Sequence, residues 1–449
     1  MSSFSTFQPT WGVKELRDIP ISLIDGDRGK NYPSHQEFSG EGFCLFLNTG
    51  NIKDDRFDFS KCDFITEQKD ALLRKGRLVR GDIVLTTRGT VGSVGYFYDD
   101  IPYEHIRINS GMVILRCGDG LSSRYFYQLF KSRILKLQFE LFSSGSAQPQ
   151  LPIKDLRRVR LPIPKPCVQR KVAAILSAYD DLIENNKRRI ALLEKLAEEI
   201  YREWFVRLRC PNHDQLKIVK RVPSEWSFDC ASEFFRLVKG KSYTGDEISD
   251  NPEHMPFISL KSFNRGGGYR EDGLKFYSGR YKDEQLVRQN DVVVALTDMT
   301  QDRAIVGRPA RIPNLGKRGA VISLDAVRLI PHNINNTFLY AYMRYSGFSD
   351  FIKEFANGTN VLHLKPELIT KQKIIVPQRE IQGKFAFNVS PLYAEADLIS
   401  DSNKRLVELR NALLTRLISG KLSVENLDIQ FPPEMMDKLD QTSVLTNHA

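Results

Sequence analysis

From Val168 to Arg209 the chain runs without a proline or a glycine. Its apolar residues fall at Val172, Ile175, Leu176, Tyr179, Leu182, Ile183, Ile190, Leu193, Leu196, Ile200 and Trp204. Gaps of three and four place them in one stripe on a helix over residues 165–210. At 1.5 Å per residue, roughly 40 residues make a rod of about 60 Å. A rod of that length needs a second one to cover its stripe.

The second rod lies about 215 residues further on, over 379–422. Its stripe is Ile381, Phe385, Val389, Leu392, Ala396, Ile399, Leu406, Leu409, Leu413 and Leu417. The approaches match: Pro164 and Gln169 before the first helix correspond to Pro377 and Gln382 before the second, and Asn186-Lys187-Arg188 to Asn403-Lys404-Arg405. Gly420 supplies a stop.

The segments before the rods repeat as well. Trp11 opens the first and Trp226 the second. Short strands are expected at 43–47, 78–86, 94–98 and 111–116, and an aromatic helix over 123–139. Counterparts stand at 256–260, 289–297, 326–330 and 337–355, and Gly145 to Leu151 corresponds to Gly358 to Leu364. The division is 1–164, helix 165–210, linker and second unit 211–378, helix 379–422, and a patternless tail 423–449. The fold class is α+β: two mixed α/β domains joined by two long helices pairing as an antiparallel coiled coil, in a pseudo-two-fold tandem repeat.

Such a repeat suits a ligand with two separated, non-identical half-sites, and duplex DNA has that form. The net charge of +10 favours a polyanion. Phosphate contacts supply affinity, and Arg, Asn or Gln reaching base edges supply specificity. The candidate DNA contacts of the first unit are Asn48, Asn51, Lys75, Arg77, Arg80, Arg88, Thr90 and Gln148. Those of the second are Lys261, Asn264, Arg265, Arg270, Asp298, Gln301, Arg303 and Asn360.

Catalytic and metal chemistry find no support. The run Gly89 to Gly95 lacks the Gly-Lys-Ser/Thr ending of a phosphate loop and turns between strands. The six cysteines form no C-x-x-C pair, as expected of reduced thiols in a cytoplasmic protein. No signal peptide and no membrane span are expected.

The order of these parts resembles the specificity subunit of Type I restriction-modification systems. The resemblance is carried by Trp11 and Trp226, by Arg80-Gly81-Asp82-Ile83-Val84 with Gln289-Asn290-Asp291-Val292-Val293, and by Gly145-Ser146 with Gly358-Thr359. The proline-ended strands and the Gln169 and Gln382 helices complete it. It implies two target recognition domains, each binding half of an asymmetric DNA site, and a helical spacer docking two methyltransferase subunits and, through them, nuclease-translocase subunits. It implies a non-catalytic chain, with S-adenosylmethionine, ATP and Mg²⁺ held by the partners and none by this chain. In the aligned sequences the turn Thr87-Arg88-Gly89 is expected to become Asp298-Met299-Thr300. The alternative is a coiled-coil scaffold that reads no DNA.

Overall fold

The computed structural model describes residues 11–145, 149–219, 222–432 and 435. They fall into two compact units, one within Met1–Glu184 and Lys404–Ala449, the other within Asn185–Asn403.

In the first unit an antiparallel sheet has the order Ile21–Asp25, Met112–Cys117, Ile83–Thr86, Val94–Tyr96. A smaller sheet has Cys44–Leu47 at its centre, antiparallel to Phe64–Ile65 and parallel to Ile106–Ile108. Gly12–Glu15 pairs with Arg160–Ile163, the strand that leads into the first long helix. The strand expected over 78–86 is confined to Ile83–Thr86, because residues 79–82 turn: the Asp82 amide donates to the Val79 carbonyl, and Gly81 has φ 86°. The aromatic helix is two helices, Ser123–Lys131 and Arg133–Phe142, because Ser132 between them has extended backbone. Tyr125, Phe126, Phe130 and Phe139 still enter one core with Val172 and Leu176.

The second unit repeats the plan. Its four-stranded sheet runs Phe235–Lys239, Ala326–Pro331, Val292–Ala295, Pro309–Arg311. Met255–Ile258 pairs in parallel with Ala320–Ile322 inside a five-stranded sheet. Ser227–Cys230 pairs with Lys373–Val376, which leads into the second long helix. The linker ahead of this unit carries a small hairpin, Ile218–Val219 with Val222–Pro223.

Two matched devices explain why the repeated residues recur. At the turn before the central strand, Asp82 accepts from Arg116 through both oxygens at 2.8 Å, and Asp291 accepts from Arg328 at 3.0 Å. The residue before each Asp has positive φ, Gly81 at 86° and Asn290 at 71°. Glycine and asparagine are the residues that tolerate this conformation, so Arg-Gly-Asp and Gln-Asn-Asp are two solutions to one turn. At the helix starts, buried Gln169 donates to the Pro164 carbonyl at 2.9 Å and accepts from the Ser122 amide at 3.0 Å. Gln382 does the same with Pro377 at 2.6 Å and Asn335 at 2.7 Å. One amide side chain thus ties strand end, long helix and aromatic helix together.

The first long helix is Pro166–Tyr201, followed by a π-helical turn, Arg202–Val206, and Leu208 at φ 56°. The second, Arg379–Ile418, contains Pro391. The backbone bond this proline removes is the one to Phe387, an exposed residue, so the freed carbonyl is not sealed in a core. Both helices therefore stop short of the ends expected at 210 and 422, the second just before Gly420 at φ 74°.

Within each unit the helix segments run antiparallel. In the first, Asp180 pairs with Arg410 at 2.7 Å, and Lys171, earlier on the first helix, donates to the carbonyl of Leu427 in the segment that follows the second helix, at 2.7 Å. In the second, Asn186 donates to Asn403 at 2.9 Å, Arg189 pairs with Glu395 at 3.1 Å, and the Phe205 ring lies 5.1 Å from Phe385. A polar pair such as Asn186–Asn403 in an apolar seam fixes register.

The segment after the second helix is not patternless packing. Val424 is buried in the core of the first unit, and the Arg170 guanidinium lies 4.7 Å over the Phe431 ring and donates to the Met435 carbonyl at 3.1 Å.

Candidate nucleic-acid interface

In each unit the loop leaving the central strand is tied to the loop that follows the aromatic helices. In the first, Leu151 donates to the Thr87 carbonyl at 2.9 Å and Arg88 pairs with Gln150. In the second, Leu364 donates to the Leu296 carbonyl at 2.7 Å and Thr297 pairs with His363. This register places Thr297 where Arg88 stands and Met299 where Thr90 stands. The expected match of Thr87-Arg88-Gly89 with Asp298-Met299-Thr300 is therefore off by two residues. The turn at 48–51 joins the first-unit loop, since a Cβ on Gly89 would meet Thr49 Oγ1 at 3.6 Å.

The candidate residues divide by what they touch. Arg88 and Thr90 are exposed at the loop tip, and among the described residues no hydrogen bond or ion pair holds the Arg88 guanidinium. Lys75 is exposed. Asn48 is half-buried and accepts from the Gly50 amide at 2.9 Å, which caps its own turn.

One first-unit candidate, Asn51, is corrected, and two exposed ones, Arg77 and Arg80, have partners within the unit. Asn51 is buried and donates to the Asp58 and Lys61 carbonyls at 3.0 and 2.8 Å. Arg80 donates to the Tyr98, Ile101 and Tyr103 carbonyls at 2.5, 2.9 and 3.2 Å, with its guanidinium 4.1 Å over the Phe97 ring. Arg77 pairs with buried Asp70. Each satisfies partners inside its unit. Gln148 lies outside the described residues.

In the second unit Lys261, Asn264, Arg265, Met299, Thr300 and Arg344 line a cleft of about 710 Å³. Lys261 is exposed, and Arg265 makes an exposed 3.4 Å ion pair with Asp302. Asn264 donates to the Tyr269 carbonyl at 2.9 Å. Arg270 pairs with Asp272 at 2.6 Å. Asn360 is exposed, and Gln301 donates to the Thr359 carbonyl at 2.9 Å.

Asp298 is corrected: it is buried and accepts from the amides of Thr300, Ile305 and Val306 at 3.0, 2.7 and 3.3 Å. Burial works to raise its carboxyl, but these donors outweigh burial and hold it below the usual range. It shapes the loop and is closed to a base. Arg303 is likewise engaged, by Glu354. Arg344 and Met299 were missed. Arg344 sits in a helix far along the chain, and its place at the cleft follows only from folding, where it donates to the Gly266 carbonyl.

Residues 9–195 and 223–408 each match the Type I restriction modification DNA specificity domain family. The chain belongs to that family. It carries two specificity domains in tandem, and the alternative of a coiled-coil scaffold that reads no DNA is not favoured. The MjaIX specificity subunit of a Type I restriction enzyme from Methanocaldococcus jannaschii is 28% identical over 364 residues, which is 78% of this chain and 79% of that protein. The HindI specificity subunit of Haemophilus influenzae is 19% identical over 466 residues, covering 88% of this chain and 98% of that one. A solved Type I S subunit from M. genitalium shares the fold, with a TM-score of 0.55 at 16% identity, over 93% of this chain and 98% of that one. Among the described residues no helix is long and apolar enough to cross a membrane, and no group of three or more His, Cys, Asp or Glu is placed to hold a metal ion.

Proposed function

We propose that this chain is the DNA-reading subunit of a cytoplasmic Type I restriction-modification complex, each unit binding one half of a bipartite, asymmetric site. One observation carries the reading. The two specificity domains share a scaffold down to the Asp–Arg and Gln devices, yet differ along the exit loops, where the counterparts of exposed Arg88 and Thr90 are buried Thr297 and exposed Met299. A common frame with unlike exposed tips supports two unlike half-sites.

In this reading Arg88, Thr90, Lys75, Lys261, Arg265, Asn264 and Asn360 contact DNA, with Asn48, Arg270 and Gln301 nearby. The long helices set the distance between half-sites and dock two methyltransferase subunits, to which restriction and translocation subunits add. The chain itself catalyses nothing. S-adenosylmethionine, ATP and Mg²⁺ belong to those partners.

The test is a methylome. The chain is expressed with its methyltransferase in a host lacking adenine methylation, and modified adenines are mapped by long-read sequencing. A split motif that vanishes when this chain is omitted is expected. An active methyltransferase whose motif is unchanged without the chain refutes the reading.

A further inference from the structure

Met299 is the most exposed of the large apolar side chains between residues 222 and 378 among the described residues, at 69%. An apolar side chain in that setting loses free energy to water unless a ligand covers it. The cleft it lines is mixed, with Lys261, Arg265 and Arg344 beside the apolar Leu260, Phe263 and Ile305.

The backbone that carries Met299 is braced. Buried Asp298 accepts from three amides between Thr300 and Val306. Gln301 donates to the Thr359 carbonyl at 2.9 Å, and Arg303 pairs with Glu354. A loop tied at three points presents its tip without the ordering cost of a free loop. In the first unit the same position is Thr90, whose exposed hydroxyl has the chemistry to hydrogen-bond a base edge or phosphate. The second unit has a thioether in place of that hydroxyl, and the side chain reaches two positions further, from γ to ε.

Among the four bases only thymine presents an apolar group in the major groove, its C5-methyl. We propose that Met299 is a specificity-determining residue that reads a thymine methyl in the half-site of the second unit, while Lys261 and Arg265 hold the flanking phosphates. The proposal rests on the DNA-reading function set out above and assigns its chemistry at one position.

The experiment uses the full chain in complex with its methyltransferase, and duplexes carrying the mapped target. Each thymine of the second unit's half-site, on either strand, is replaced in turn by deoxyuridine, which removes only the methyl. Competition binding at fixed salt should show one position where the replacement weakens binding about fourfold, the worth of one buried methyl group. In Met299→Ala the thymine and uracil duplexes should bind alike at that position. Its melting temperature and salt dependence should stay those of the unmodified chain, whereas Lys261→Ala should lower the salt slope by about one.

A half-site with no thymine on either strand, no uracil-sensitive position, or an undiminished methyl effect in Met299→Ala would each overturn the proposal. If the unmodified complex does not prefer its target over scrambled duplex, the reader function fails as well. That outcome is distinct from sequence-specific binding that ignores the methyl.

Discussion

Replacing Asp180 by Asn should unfold the first unit selectively. Asp180 lies on the first long helix with only 2% of its side chain exposed, and Lys131, on the aromatic helix, with 4%. Lys131 Nζ donates to Asp180 at 2.6 Å, Gln128 at 2.8 Å and Arg410, from the second long helix, at 2.7 Å. Arg56 donates to the Asp180 carbonyl at 2.8 Å. Burial alone would raise the Asp180 carboxyl, but Lys131, Gln128 and Arg410 outweigh it and hold it at about 2.

Lowered from 3.8 to about 2, the ionised form contributes about 2 kcal/mol. The folded-state value is the lower one, so this stability is complete above pH 4 or so and is lost as pH falls toward about 2. The Asn variant lacks that term throughout the range above about pH 4, where the unmodified chain has it in full. It also turns an amide donor toward donors and leaves the Lys131 ammonium buried without a counter-charge, for a total of about 3–5 kcal/mol.

A chain of two units is not two-state as a whole, so the assay is hydrogen exchange read on peptides from each unit. Peptides from Ser123–Lys131 should lose about 3–5 kcal/mol of protection, and peptides from Asn336–Tyr345 should not change. Adding Lys131→Met should recover at least about 1 kcal/mol, because the orphaned charge is removed. A cost below about 1 kcal/mol for the single variant, or a double variant worse than the sum of its parts, would refute this account.

Three further predictions follow the same geometry. Gly81→Ala should cost about 1–2 kcal/mol, because φ 86° is unfavourable to a Cβ, while Asn290→Gly, at ease with φ 71° but losing the bond Asn290 accepts from Arg311 at 2.9 Å, should cost no more than about 1 kcal/mol; thermal denaturation checks both. Gln382→Ala should destabilise the second unit by about 2–3 kcal/mol, since the Asn335 amide and the Pro377 carbonyl lose a buried partner; urea denaturation of the two variants at Gln382 and Gln169 should show matching costs in their own units. Arg88→Glu should weaken duplex binding and reduce its salt slope by about 1–2 with no change in melting temperature, whereas Arg80→Ala should lower the melting temperature first.

Much of the frame was legible from residue order. Apolar gaps of three and four require a helix whatever the rest of the chain does, and a stripe of that length requires a second one. The duplication showed itself in Trp11 and Trp226, Gln169 and Gln382, and the two Asp turns, because each of these residues stands within a few positions of its own strand or helix start. Even the difference between Gly81 and Asn290 is local, a single φ angle.

The exposure of the loop residues was decided only in three dimensions. Asn51 and Asp298 have the polarity of DNA contacts, but each is buried against carbonyls or amides inside its unit, and a buried polar group satisfied in that way is closed to a base. Arg344 and Met299 became visible for the converse reason. The cleft they share joins residues 260–270, 298–305 and 344, and sequence spacing holds no record of which of those side chains faces out. Helix periodicity is a property of the backbone and survives in the sequence, whereas the surface a loop presents is a property of the packing beneath it.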